Sequence, residues 1–214
     1  MRGKLIAGLC CAIKLAHADS VVLFDGRSLG GWRVEGDSEW TVIDQAIVAS
    51  GSEDGFLVSE NDYGDFHLRA EFWVDATTNS GVFIRCRERS RIHPETCYEL
   101  NIYDEHPQQE ARTGAIVKQF MPPMAKVETV GKWNTLEAMA KGAAIEVRIN
   151  GVTTAVLDNA DPTAGFIALQ HSDGMVRRRE DAAREVLHVS AAHPVAIELR
   201  DSILSMGKTA LKVD

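Results

Sequence analysis

Hydrophobic and polar residues alternate with period two along most of the chain between residues 21 and 170. Phe66, Leu68, Ala70, Phe72 and Val74 share one parity, and His67, Arg69, Glu71 and Trp73 share the other. Val82, Ile84 and Cys86 oppose Phe83, Arg85 and Arg87, while Tyr98, Leu100 and Ile102 oppose Cys97, Glu99, Asn101 and Tyr103. Because a strand points successive side chains to opposite faces, this pattern predicts half-buried strands over 65–74, 80–87 and 97–103. Shorter strands are expected over 21–24, 40–43, 46–48, 56–58, 133–140, 143–150, 153–157 and 165–170. Turns at Asp25-Gly26, Asp44-Gln45 and Asn150-Gly151 punctuate them, the last being a strong two-residue hairpin signal. There are no heptads and no internal repeat. Many short strands with regular turns predict an all-β sandwich or barrel. Its expected core includes Phe66, Leu68, Phe72, Ile84, Leu100, Ile102, Val147 and Ile149, with Trp32, Trp40 and Trp133 as further core candidates.

Both ends depart from this pattern. Arg2 and Lys4 precede the apolar run Leu5 to Ile13, and Ala16-His17-Ala18 supplies small residues for cleavage. Residues 1–18 therefore read as a secretory signal peptide, and the expected location is exported, periplasmic or extracellular. That run is too short to span a bilayer and no later segment qualifies, so no transmembrane segment is expected. The sandwich is assigned to 19–176. Residues 177–214 are expected to form a divergent tail, loosely attached to the sandwich, with a candidate exposed helix at its charged start. With the leader removed, Cys86 and Cys97 remain, and a pair in an exported chain invites a disulfide. Their opposite parities weigh against one, since bonding them needs a bulge or an irregular strand start.

The chain has 214 residues, 45% hydrophobic and 25% charged, which suits one soluble domain. Its formal net charge of -8 makes it a poor partner for a phosphate backbone, so nucleic acid is set aside and neutral sugars stay open. Nothing in the sequence sets an oligomeric state. The polar parities hold Arg69, Glu71, Trp73, Phe83, Arg85, Glu99, Asn101 and Tyr103, unlike the Lys, Thr and Ser of a plain solvated face. Aromatic rings pack against sugar C–H faces, and Arg, Asn and carboxylates bind hydroxyls. If the strands are neighbours, these groups converge on one carbohydrate-binding surface. The competing reading is a set of cross-strand salt bridges with incidental aromatics.

Several segments resemble one family in order: LFDGRSLGGW at 23–32, WTVIDQAIVAS at 40–50, YGDFHLRAEFWV at 63–74, NSGVFIR at 79–85, CYELNIYDE at 97–105, TGAIV at 113–117, GKWNTLEAMAKGAAIEVRINGV at 131–152 and AGFIALQHSDG at 164–174. The chain is similar to the 3-keto-disaccharide hydrolase family over 21–176. The resemblance implies a concanavalin A-like jelly-roll sandwich of two antiparallel sheets, and cleavage of glycosides whose sugar is oxidised to a ketone at C3. Asn101 stands where the family often has Gln. After LQHSDG the family closes with one more strand, which Met175-Val176 begins here before the resemblance stops.

A C3 ketone acidifies the C2 proton, so a base can remove it and expel the glycosidic oxygen, with water adding back afterwards. Glu99 or Glu71 is the expected base, Arg85 the enolate stabiliser, and His171 an acid, base or metal ligand. Arg69, Asn101, Asp104, Trp73 and Gln170 are expected to bind substrate, with His171 approaching from a loop. No cofactor is required by this scheme. Asp104, Glu105 and His106 form a compact cluster for which a divalent metal is a candidate, against the plainer reading of an exposed acidic loop. Two other functions fit: a non-catalytic lectin-like module, or an ordinary two-carboxylate glycosidase. For the latter, Glu99, Asn101 and Asp104 lack the central Asp of a Glu-x-Asp-x-x-Glu strand.

Overall fold

The computed structural model describes residues 20–50, 54–117, 122–172 and 184–191. Its strands are β1 (Ser20–Val22), β2 (Trp32–Gly36), β3 (Glu39–Ile43), β4 (Ala46–Ser50), β5 (Gly55–Tyr63), β6 (Phe66–Trp73), β7 (Ser80–Cys86), β8 (Tyr98–Ile102), β9 (Trp133–Lys141), β10 (Ala144–Ile149), β11 (Val152–Leu157), β12 (Gly165–His171) and β13 (Arg184–Ala191). They form an eight-stranded sheet, ordered β11-β10-β9-β6-β13-β4-β3 with β1 also on β13, and a five-stranded sheet, ordered β2-β5-β12-β7-β8. Every strand pairing is antiparallel. This is the expected all-β sandwich of the concanavalin A-like type. The hairpin turns fall at Asp44-Gln45 and Asn150-Gly151, where both central residues of each have positive φ (49° and 61°, 51° and 78°). That conformation matches the twist of the flanking strands.

The core lies between the sheets. Phe66, Leu68, Ala70 and Phe72 of β6, with Leu136, Ala138, Val147 and Ile149, meet Leu57, Val82, Ile84, Leu100, Ile102, Ile167 and Leu169 of the smaller sheet. All eight core residues expected from parity are at most 4% exposed. Trp32 is also buried, and its indole N–H donates to the Leu23 carbonyl at 2.6 Å. Trp40 is partly buried against the core. Trp133 is not a core residue: it is 43% exposed and stands opposite Trp73 on the outer face of the larger sheet. At that position β9 has already turned its odd residues outward.

Three features were not legible from periodicity. The first is β13. Part of the expected loose tail, Arg184–Ala191, pairs along its whole length with β6, while β4 and β1 share its other edge. Without it, β6 and β4 would each present an unpaired edge. The expected helix begins at 177, and its residues before 184 lie outside the described residues, as does the expected signal peptide. The second is β2, which supplies the outer edge of the smaller sheet.

The third is Arg85. It has φ 53°, and one extra residue of β7 is accommodated there, between the pairings Phe166↔Cys86 and Ala168↔Phe83. Such a bulge resets the face on which later residues lie. Ile84 remains in the main core, whereas Cys86 joins Phe83 on the outer side. There it is bonded to Cys97, with a Cα–Cα distance of 4.3 Å. The parity objection to the disulfide is thus corrected by the bulge itself. Gly165 is fitted to the same bulge: a Cβ there would lie 2.3 Å from the Cys86 carbonyl oxygen.

Candidate functional site

The outer face of the five-stranded sheet carries two rows of residues, read from the strand registers. One row runs Glu35, Phe56, Gln170, Gly81 and Asn101, from β2 to β8; the next runs Arg33, Val58, Ala168, Phe83 and Glu99. The middle of the second row is buried: Val58, Phe83 and Ala168 pack with Phe166, Cys86, Cys97 and Ile92 of the 87–97 loop. The disulfide closes that loop. The first row stays more open at Glu35, Phe56 and Gln170, each half-buried.

Glu99 ends the second row on β8 and is only 7% exposed. Its backbone carbonyl accepts from the Val117 N–H at 3.0 Å, which holds β8 against the following loop. Gly81, on β7, is diagonal to Glu99, two residues along from its direct partner Phe83. The missing side chain of Gly81 lets Gln170 Oε1 and Glu99 Cγ close over the backbone, each 3.3 Å from where a Cβ would stand, with Glu99 Oε1 at 3.4 Å. The carboxylate therefore leans across β7 toward the amide of a residue two strands away. Gln170 Oε1 is buried without a hydrogen-bond partner. A buried acceptor left unpaired is costly, so a donor reaching it is favoured.

The other expected site residues are dispersed. Asn101 is 3% exposed, but its amide is used by the fold: Nδ2 donates to the Ala111 carbonyl and Oδ1 accepts from the Ile102 N–H. Asp104 ties the 103–132 connection together, accepting from the Thr113 hydroxyl at 2.6 Å, the Thr129 hydroxyl at 2.8 Å and the Thr129 N–H at 2.6 Å. A cleft of about 250 Å³ in this connection is lined by Asp104, Arg112, Thr113 and Lys126 among others, and does not include Glu99 or Gln170. Among the described residues no group of three or more His, Cys, Asp or Glu side chains could hold a metal ion.

Arg85 does not join Glu99. The bulge turns its side chain to the inner side, where it is fully buried. Nη1 donates to the Gly142 carbonyl at 2.8 Å and Nη2 lies 3.6 Å from Asp65 Oδ1. Asp65 in turn accepts from the Gly142 N–H at 2.6 Å. Arg85 therefore links the two sheets through the β5–β6 and β9–β10 turns. Burial pulls its guanidinium below the usual range, and the charge of Asp65 opposes that shift. His171 ends strand β12 rather than sitting in a loop, with the inward parity of Ile167 and Leu169, and its Nδ1 is 3.1 Å from the Ser38 hydroxyl.

Arg69, Glu71 and Trp73 belong to the other sheet. Their core-facing neighbours on β6 point toward the smaller sheet, so these three point away from it. Arg69 donates to Glu71 at 3.3 Å and to the Thr135 hydroxyl at 3.4 Å. His67 and Glu137 lie 3.6 Å apart on the same face, and Arg148 donates to Glu146 at 2.7 Å. The expectation of one shared polar surface is thus corrected: period two fixes which side of its own sheet a residue faces, not which sheet its strand joins. Two residues not singled out from sequence complete the face around Glu99. Gly81 lay in the Asn-Ser-Gly segment, and Phe56 began a predicted strand; the clue was the shared parity of Phe56 and Gln170, which needs the register to be seen.

An antiparallel sandwich of two such sheets is of the concanavalin A-like class. Within that class the chain belongs to the 3-keto-alpha-glucoside-1,2-lyase-like domain family, whose description matches residues 19–180. Among solved structures it is similar to a "putative glycosyl hydrolase" from Parabacteroides distasonis, with TM-score 0.68, 20% identity and coverage of 81% of this chain and 94% of that one. It is also similar to the carbohydrate binding module CBM66 from Bacillus subtilis, with TM-score 0.55, 13% identity and coverage of 75% and 96%. The exoplasmic/lumenal domain of VIP36, in its Ca2+/Man3GlcNAc-bound form, gives TM-score 0.55, 10% identity and coverage of 88% and 94%. These likenesses are of fold. No curated protein sequence matches the chain. Among the described residues no helix is long and apolar enough to cross a membrane.

Proposed function

We propose that the protein cleaves glycosides whose sugar carries a C3 ketone, with Glu99 as the base. The observation that carries this reading is the nearly buried Glu99 carboxylate meeting the Gln170 amide across the bare Gly81. A ketosugar ring placed over Gly81 would have both groups beneath it. The Gln170 amide offers a donor for the C3 oxygen and an acceptor for a neighbouring hydroxyl. Glu99 takes the C2 proton, and the C2–H electron pair forms the enolate. The enolate then expels the glycosidic oxygen from C1, leaving a C1=C2 enone, and protonated Glu99 returns its proton to that oxygen. Water adds across C1=C2, placing hydroxyl on C1 and hydrogen on C2, so the net change is hydrolysis. Arg85, fully buried and bound to Gly142, has no part in these steps.

An ordinary two-carboxylate glycosidase is less well supported, because both carboxylate oxygens of Asp104 are taken up by Thr113 and Thr129. A lectin-like module shares the fold, and turnover separates it from an enzyme. The test is incubation with a 3-keto-disaccharide beside its unoxidised parent, with product analysis. Cleavage of the ketone substrate alone, lost in Glu99→Gln, is expected. Binding of either sugar without products would make the face a lectin site.

A further inference from the structure

We infer that Phe56 is the platform for the leaving-group sugar, with Glu35 at the outer limit of that subsite. This rests on the proposed function and extends it from the reacting ring to its partner. Phe56 stands opposite Gln170, and Glu35 stands opposite Phe56. The row Gly81, Gln170, Phe56, Glu35 therefore crosses four adjacent strands, a span of about 14 Å at the usual strand spacing. That is longer than one pyranose ring needs. With the ketosugar over Gly81 and its C1 directed toward β5, the second ring lies over Phe56.

The phenyl ring is built for contact. It packs against Phe83 in a T-shaped arrangement, with centroids 5.3 Å apart and planes at 86°. Phe83 is fully buried, whereas Phe56 is half-buried. It is thus a ring held by packing on one side and open on the other, among polar neighbours. Aromatic faces attract the polarised C–H bonds of a sugar, and a carboxylate at the ring's far side accepts hydroxyl donors. Phe56 with Glu35 is an amphipathic pair that suits a neutral sugar better than an alkyl group. Phe56 touches neither C2 nor the scissile oxygen, so its role is specificity rather than chemistry.

The test compares kcat/KM for a 3-keto-disaccharide and a methyl 3-keto-glycoside in wild type, Phe56→Leu and Phe56→Ala. The Leu variant keeps apolar bulk against Phe83 while removing the ring face. Both variants are expected to lose about 3- to 10-fold of the preference for the disaccharide, with the methyl glycoside changed less than about twofold. Equal losses on both substrates, or none on either, would overturn the subsite. Glu99→Gln run in parallel keeps the two ideas apart. Full activity in that variant sinks the proposed reaction and this subsite with it. Its loss, together with an unchanged disaccharide preference in both Phe56 variants, sinks the subsite alone.

Discussion

The two outer faces of this sandwich are made from similar residues and arranged in different ways. On the eight-stranded sheet, acid and base alternate and satisfy one another: Arg69 with Glu71, His67 with Glu137, Arg148 with Glu146. These side chains are each about a quarter or more exposed. On the five-stranded sheet the carboxylate of Glu99 is nearly buried, and it packs over a glycine of the neighbouring strand, where a side chain would crowd it. Water screens the first set and leaves each pair worth little. It is largely excluded from the second, where a charge interacts strongly with whatever enters. Residue type alone therefore does not distinguish the two faces; burial does.

The largest expected effect sets Glu99 against Glu71, both of which fit the base from sequence. Glu99→Gln preserves size and hydrogen bonding and removes the base, so kcat on a 3-keto-glycoside should fall about 10²- to 10⁴-fold. Glu71→Gln should leave kcat within about twofold, because its sheet faces away from the row around Gly81 and its pairing is partly exposed. Steady-state kinetics on both variants checks this. A collapse in Glu71→Gln with Glu99→Gln unaffected would move the site to the other sheet.

The two arginines give the next contrast. Arg85 is fully buried, and removing one member of a buried polar network leaves the others poorly satisfied. Arg85→Met should cost about 3 kcal/mol, or roughly 6–12 °C in Tm for a domain of this size. Arg69→Met, at an exposed pair, should cost less than about 0.5 kcal/mol. Thermal unfolding of both variants decides it. Equal melting temperatures would mean that the inter-sheet link through Asp65 and Gly142 contributes nothing.

These contrasts show what could be read in advance. The alternation of β6, β7 and β8 is local, since each residue's parity depends only on its neighbours, and it located the core correctly. The sheet each strand joins is set by pairings between distant segments, so Arg69 and Glu71 were grouped with Glu99 across the whole thickness of the sandwich. Arg85 was misplaced by a single positive φ, which no residue-type pattern at an arginine announces. The strand β13 was hidden because Glu185, in register with Phe72, breaks the apolar rhythm that Leu187, Val189 and Ala191 then resume opposite Ala70, Leu68 and Phe66. Glu99 and Gln170 both read as site candidates from sequence, yet what brings them over one point of the sheet is Gly81.

That glycine supplies a smaller and more selective test. A methyl at position 81 would stand 3.3 Å from Gln170 Oε1 and from Glu99 Cγ, so these side chains must move by a few tenths of an ångström. Gly81→Ala is expected to lower kcat about tenfold through misplacement of the base. Its Tm should change by less than about 3 °C, since the displaced groups are side-chain ends rather than backbone. Unchanged kcat in a folded Gly81→Ala protein would show that the space over Gly81 is not where the reacting ring sits.

The smallest effect lies on the opposite face. Glu146 is held below the usual carboxylate range, first by the hydrogen bond from Arg148 and then by one from the Thr153 hydroxyl, with burial opposing both. A depressed carboxylate pKa contributes stability that is present above the unfolded value, about 4.3, and is lost as pH falls through the lower folded value. Glu146→Gln should therefore lower Tm by only about 1 °C at pH 7. The difference from wild type should shrink as pH falls below about 4 and vanish once Glu146 is protonated in the folded protein as well. Because the pair is partly exposed, added salt should narrow the gap at pH 7 as well. Melting curves over pH and salt measure this directly. A large gap that survives both acid and salt would mean that this face, like the one around Glu99, holds a carboxylate in a site shielded from water, and the contrast between the two sheets would fail.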